Sequence, residues 1–539
     1  MRLNSRRTQL FTLRDFTGGL NLQADTFRLA NNESPDMLNV DVDRRGGFQV
    51  RRGVAPYTTN ALSADPFTLW VFNNGGTEQI MAQVGVKVWT STGSTWTEIG
   101  PNRGVTDAAV CPVVINGATY WGRGQYATMK WDGTGTTATV MANSFNDTTT
   151  ATSGNVPRAE HLAVHAGYMW VGNTWESGTN YPNRIRWSWA NVYDNSVENW
   201  RTDEYIDIDD GKDGDEITAL IPFGDQLLVF KRDSVYVVYG YDSNSFQIVN
   251  VSNTHGAVSH EAALATPAGL FFFDHSIGLC RYSGRTSVEW VFEPIWSALR
   301  DGSIPQFDVN KVHLGWVNNR LWVSVPWDDE PDYDRGTTFV YDPTLGPKGS
   351  WTRYDLKCGP YAKTHYSDTH LSSLAGTNLI FELDVQNQWF DDFNDAAQTP
   401  IDAYYRTRWI DLDQPAVKKR WRRVEAVLQV EDSYELPVKT YRDYDPSLAV
   451  KNFKFVGNGP AGVATSGVWD DPDSDWDDAT WAISNRGADI DRGSSLGLAR
   501  AVSLKVGGKV KTVPNNGVTG PCFWGVDALI MKFVPRRVR

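Results

Sequence analysis

The sequence predicts an all-β chain, a β-propeller of about seven blades followed by a C-terminal β-sandwich with an extended N-terminal arm. Three observations carry this. Aromatic residues and glycine are abundant, with 23 Trp, 21 Tyr, 23 Phe and 47 Gly. Aromatic side chains suit the half-buried face of a strand, and glycine suits tight turns. A strand-turn-strand unit recurs along the middle of the chain, and no helical periodicity interrupts it, which excludes a βαβ architecture.

The repeat is clearest in five segments, Val113–Gly122, Ala163–Val171, Leu220–Phe230, Leu264–Phe273 and Gly315–Val323. Each reads as a short apolar strand, a turn built on Gly, Asn or Asp, then an aromatic-rich strand. Such turn residues accept the positive φ angles of a tight hairpin. Weaker copies, Phe67–Met81 and Leu371–Phe381, flank them. With Gly75, Gly117, Gly167, Asp225, Gly269, Asn318 and Gly376 as turn markers, the spacing is about 42 to 58 residues, the length of a four-stranded blade. Third strands follow most hairpins, as in Val86–Trp89, Val235–Gly240 and Phe339–Asp342, and fourth strands follow at Ser94–Glu98 and Ser350–Tyr354. The predicted domains are residues 1–59, an extended arm; 60–395, the propeller; and 396–539, the sandwich. In the last, Thr407–Leu412, Val424–Val430, Ala501–Val506 and Val526–Met531 read as strands joined by long polar loops. The arm is polar and Gly-rich, as in Phe16–Leu22 and Arg45–Gly53, and is expected to order against another protein.

Composition narrows the function. Lys plus Arg number 51 and Asp plus Glu 64, giving a net charge of −13. That balance argues against tight nucleic-acid binding, which concentrates cations. Cys111, Cys280, Cys358 and Cys522 lie far apart with no metal-ligand spacing, and read as small buried side chains in a reducing compartment. The start of the chain lacks the apolar run of a secretion signal, and no apolar stretch is long enough for a membrane helix. Synthesis and folding in a cytoplasm are the expectation.

The segment from Phe16 to Gly53 contains a Gly18-Gly19 pair, the step Asn32-Glu33-Ser34-Pro35-Asp36, the step Asn39-Val40-Asp41, then Gly46-Gly47 and Arg51-Arg52-Gly53. This pattern resembles the opening of the tail nozzle (tail tubular protein B-like) and related minor tail proteins of bacteriophages. Asp213–Tyr236 and the spaced tryptophans of Trp469–Trp481 resemble stretches of the same proteins. The resemblance implies a structural virion protein of the tail, made and assembled in the host cytoplasm. It would form a homo-oligomeric ring, hexameric in preference to trimeric, through which the genome would exit without sequence-specific contact. Partners would be other tail or head-tail connector proteins, reached through the arm, and the host cell surface. A tail-tip propeller that binds a receptor or glycan is the alternative, followed by a glycan hydrolase.

No catalytic, cofactor-binding or metal-ligating residue is assigned, and no cofactor is expected. Asp207–Glu216 has the close carboxylates and glycines that calcium favours, but it lacks an EF-hand register and reads better as a solvated turn. The carboxylates of Asp470–Asp478 read as a solvated loop whose tryptophans, Trp469, Trp476 and Trp481, pack inward. Lys418–Arg423 is the strongest basic run. It could meet DNA or lipid phosphate, and a neighbouring subunit's carboxylates are the favoured partner. Arg536–Arg539 reads as a flexible end. His161 and His165 are expected to diverge. Ser91–Trp96 and Ser283–Trp290 approach a sialidase-type box but lack its Asp, and no nucleophile elbow or phosphate loop occurs. The expectation is a protein that is not an enzyme. Passage of DNA would be helped by acidic loops such as those carrying Asp213 and Asp215 facing a ring lumen.

Overall fold

The computed structural model describes residues 8–535 apart from 26, 94, 101–108, 142–143, 146–157, 191–195, 209–214, 285–286, 298–310, 326–336, 347, 394–397, 459–486, 493–494 and 513–519. Among them no helix is long and apolar enough to cross a membrane. The chain divides into two compact units. One comprises Pro56–Phe339 with Leu356–Leu383, the other Met1–Ala55, Val340–Asp355 and Asp384–Arg539.

The first unit is the propeller. Its blades are built on antiparallel meanders in which each strand pairs with the next, as in Ile217–Phe223, Gln226–Lys231, Val235–Tyr239 and Gln247–Ser252; Ser144–Phe145 adds a parallel outer strand to the third. Seven innermost strands succeed one another, Thr68–Asn74, Cys111–Ile115, Arg158–His165, Ile217–Phe223, Ala263–Thr266, His313–Val317 and Cys358–Lys363. Each neighbours the next, and Cys358–Lys363 returns to Thr68–Asn74, so the ring is closed. Closure is also a matter of hydrogen bonding. The N–H groups of Tyr57 and Thr58 donate to the Ile380 carbonyl at 2.8 and 3.3 Å, so the start of the unit supplies the outer edge of its last blade. Leu62, Leu69 and Ile80 of the start share one buried cluster with Leu371 and Ile380 of the end. Radial closure leaves the inner strands only short edges, which the ring protects.

Between blades the aromatic residues meet. Trp70 and Trp121 meet at a tilt of 49°, ring centroids 6.1 Å apart, between the first two blades, and Trp170, Trp187 and Phe246 pack together where the third meets the fourth. The hairpin turns use the expected residues at positive φ, among them Gly117 (68°), Gly167 (79°) and Asn318 (47°). Part of the tryptophan abundance is therefore spent on inter-blade packing, and Trp409, Trp421 and Trp524 are buried in the other unit. Among the described residues Trp290 is the one exposed tryptophan.

The second unit is a two-sheet sandwich built from both ends of the chain, and this corrects the expectation of a separate arm. One sheet runs Gly487–Arg492, Lys419–Val430, Gly525–Pro535, Phe48–Val50 and Val40–Val42. Gln9–Leu13 adds to it by pairing antiparallel with Gly525–Pro535, Gln9 opposite Phe533. The other runs Asp36–Leu38, Asp402–Arg406, Val502–Lys509, Tyr434–Arg442 and Lys451–Gly457. The segment read as an arm thus supplies strands to both sheets, and Leu13, Phe16, Leu20 and Met37 lie in the core. Its polarity misled because only alternate residues of a half-buried strand are apolar. The strand expected at Thr407–Leu412 lies earlier, at Asp402–Arg406, and Leu412 and Asp413 turn the chain at φ 57° and 58°.

Candidate functional site

Two polar clusters of the described residues, one in each unit, bear on the sequence candidates. The first gathers near the beginnings of the inner propeller strands, which a closed meander ring brings to one end of the propeller's axis. Cys111 opens one such strand, Glu160 and His161 lie early in the next, Glu216 and His260-Glu261 precede two more, and His313 opens a further one.

Cys111 Sγ lies 3.4 Å from His260 Nε2, and it also accepts the Leu162 N–H at 3.3 Å. The His161 and His260 rings stack with centroids 5.9 Å apart and planes 20° apart. Arg123 reaches Glu160 at 3.2 Å. A thiol beside an imidazole is the first half of a nucleophilic dyad, whose base is ordinarily oriented by a third group. His260 Nδ1 has no hydrogen-bond partner, and Cys111 is 3% exposed. This geometry packs a buried cysteine and does not present a nucleophile.

The histidines here titrate in opposite senses. Burial, with His260 and Arg123 nearby, holds His161 well below the ordinary histidine range. Burial likewise lowers His313 against the opposing pull of Glu261, and His165 against that of Asp225. For His260 burial also acts downward, but Cys111 and Glu261 outweigh it and hold the ring up at about 9. A group with a depressed folded pKa contributes stability above its unfolded value of about 6.5 that is lost as pH falls. His260 contributes stability that is full below about 6.5 and lost as pH rises toward 9. Thermal unfolding against pH should therefore show an alkaline decline that His260→Leu removes, and an acid decline that His161→Phe reduces. Unaltered limbs in both variants would contradict this assignment.

The second cluster is the place where the N-terminal sequence pattern acquires physical meaning. Arg51 is 1% exposed and grips Asp391 with both guanidinium nitrogens, Nη1 at 2.8 Å and Nη2 at 2.6 Å. Its Nε donates to Asn39 Oδ1 at 2.9 Å, and its Nη2 lies 3.4 Å from Asp355. Asn39 stands at φ 53°, a left-handed conformation that Asn tolerates, and its Nδ2 donates to the Asp402 carbonyl at 2.9 Å. Ser34 Oγ donates to the Arg406 carbonyl at 2.7 Å. Glu33 accepts from Asn21 Nδ2 at 3.0 Å and from the Ala30 N–H at 2.7 Å. A Cβ at Gly19 would overlap Ser350 Oγ, and one at Gly53 would overlap the Phe390 carbonyl. The pattern is a set of clasps that ties residues 16–53 into the sandwich.

The other sequence candidates separate. Asp215 caps a turn, accepting the Arg232 N–H at 2.9 Å and the Ser234 hydroxyl at 3.3 Å. Asp213 and most of the Asp207–Glu216 loop lie outside the described residues. So do the whole of Trp469–Trp481, with Asp470–Asp478, and Arg536–Arg539. Among the described residues no group of three His, Cys, Asp or Glu is placed to hold a metal ion. His161 and His165 do not diverge. They share one strand and, four residues apart, stand about 13 Å from each other on one face. The four cysteines are buried and unbridged, as expected. The Cys111–His260 contact had no local sequence signal, because its partners lie 149 residues apart.

No family profile matches the chain, and no curated protein matches it. Among solved structures it is similar to a computationally designed protein, Ika8, at 11% identity and a TM-score of 0.34 over 61% of this chain and 99% of that one. It is also similar to the extracellular domain of a one-component system from B. thetaiotaomicron, at 10% identity and a TM-score of 0.42 over 79% of this chain and 59% of that one. A third is the Cps50 (Swd1) β-propeller domain of Myceliophteria thermophila, at 9% identity and a TM-score of 0.36 over 62% and 100%. At these values the fold assignment rests on the sheets described above.

Proposed function

We propose that this chain is a structural subunit of a tailed-bacteriophage tail, forming a homo-oligomeric ring, a nozzle or tail-tip component, through which the genome leaves the particle. The observation that carries this reading is the N-terminal pattern. Within the second unit, Ser34, Asn39 and Arg51 hydrogen-bond residues far along the chain, Glu33 fastens the segment to itself, and Gly19 and Gly53 permit close approaches to Ser350 and Phe390. The clasps join both chain ends into one domain, which suits a part built to bear load. In this reading the protein is not an enzyme and resides in the virion. Other tail or connector proteins and neighbouring copies are its partners, but residues 9–50 are not a free arm to reach them, being committed to the sandwich.

Electron microscopy tests the reading directly. The purified protein should form rings of one symmetry, and antibody against it should label the tail of intact particles. Only monomers, with no labelling of particles, would overturn it. The non-enzymatic part has its own test in a panel of glycans, peptidoglycan and nucleotide esters. No turnover is expected, and turnover abolished by one Asp→Asn or Glu→Gln substitution would refute it.

A further inference from the structure

The basic run Lys418–Arg423 is divided by the strand it begins. Lys419 turns inward, 0% exposed, and its ammonium donates to the carbonyls of Gln414, Val417 and Arg500 at 2.7, 3.0 and 3.0 Å. All three of its donors are satisfied. Trp421 also faces the core. Lys418, Arg420, Arg422 and Arg423 remain exposed, the last two together because the pairing with Gly525–Pro535 shifts register between Trp421 and Arg423. No carboxylate among the described residues pairs with any of these four.

The neighbouring strands extend the face. Arg423 stands opposite Lys532, a like-charge pair that weakens a sheet and that Glu425 offsets by bonding Lys532 at 2.7 Å. Leu498 stands opposite Arg420, and Leu10 opposite Lys532, and these leucines are 39% and 63% exposed.

We propose that this outward face of the sandwich, Arg420, Arg422, Arg423 and Lys532 interleaved with Leu10 and Leu498, docks on an anionic phospholipid surface. Three features select that occupant. The concentration of cations in a chain of net charge −13 calls for a negative partner. The face spans about 10 Å along the strand and about 14 Å across four strands, roughly 140 Å². A stable protein complex needs about 800 Å² from each side, so a second protein is poorly served. Single-stranded nucleic acid is held by stacking on aromatic rings, and the strand's Trp421 is turned away. Exposed leucines between cations instead match lipid headgroups with acyl chains beneath them, the arrangement of interfacial membrane binders.

The test is sedimentation of the full chain with large unilamellar vesicles. Vesicles of phosphatidylcholine containing phosphatidylglycerol should bind it, and pure phosphatidylcholine should not. Binding should weaken steeply as salt rises and shortens the Debye length from about 10 Å toward 3 Å. Each cation removed should lower partitioning about fivefold, so Arg420→Gln/Arg422→Gln/Arg423→Gln should lower it about a hundredfold. If the triple variant unfolds, Arg422→Gln alone reads the single step, with an unchanged melting temperature as its control. Leu498→Ser should lower partitioning further at high salt, where the aliphatic contribution persists. Equal partitioning of wild type and variants overturns the proposal. So does preferential binding of this face to duplex DNA, or self-association through it that vesicles do not compete away.

Discussion

Removing residues 2–40 is expected to abolish the fold of the sandwich unit. The deletion takes away Gln9–Leu13, which pairs with Gly525–Pro535, and Asp36–Leu38, which pairs with Asp402–Arg406. It also removes six buried apolar side chains, Leu13, Phe16, Leu20, Leu29, Met37 and Val40, none more than 4% exposed. At about 1.5–3 kcal/mol for each fully buried side chain, the lost burial is of order 10 kcal/mol. A domain's whole margin is about 5–15 kcal/mol. Read as a free arm, the same residues could have been deleted without harm to any domain. The two views separate in a limited-proteolysis experiment. Fragments covering residues 402–535 should be cut rapidly in the deletion variant and protected in the full chain. Protection equal to that of the full chain would mean that the pairing of the two chain ends is dispensable.

What the sequence made legible was local. A hairpin such as Leu220–Phe230 brings its two strands together through a turn only a few residues long, and Gly224 at φ 63° supplies the turn. Seven such units at blade spacing suffice to read the propeller, because each blade is closed by near neighbours. The sandwich resisted for the opposite reason. Gln9 meets Phe533 and Tyr405 meets Met37, pairings between distant parts of the chain that leave no periodic trace. The basic run shows the same limit on a smaller scale. As sequence, Lys418–Arg423 is one block of charge. As a strand with a register shift it becomes one buried ammonium, one buried indole and four outward cations. Asp215 likewise reads as part of an acidic loop, and only the turn at Arg232–Ser234 shows which donors it serves. The resemblance pattern was visible as residues but not as contacts, because Arg51 and Asp391 are separated by 340 positions.

That Arg51–Asp391 pair supports the second large expected effect. Replacing Arg51 by Met keeps the length of the side chain and removes the cation. Asp391, 12% exposed in its side chain, would lose both of its guanidinium hydrogen bonds, and Asn39 Oδ1 would lose one of its two donors, keeping the Asp355 N–H at 3.1 Å. Breaking a buried pair from one side leaves an uncompensated charge and costs about 3–5 kcal/mol. Lysine should rescue little, because a point charge cannot reproduce two parallel bonds to one carboxylate plus a third to Asn39. Removing both charges is a different matter. Arg51→Met together with Asp391→Leu leaves no stranded ion, and hydrophobic replacement of a buried pair is often close to neutral. The denaturant midpoint of the sandwich transition in wild type, both single variants and the double variant gives the coupling energy directly. The double variant should be distinctly more stable than Arg51→Met alone. If it is instead as unstable as the two single losses added together, the clasp is held by packing around Gly53 and Phe390, and the ion pair is incidental.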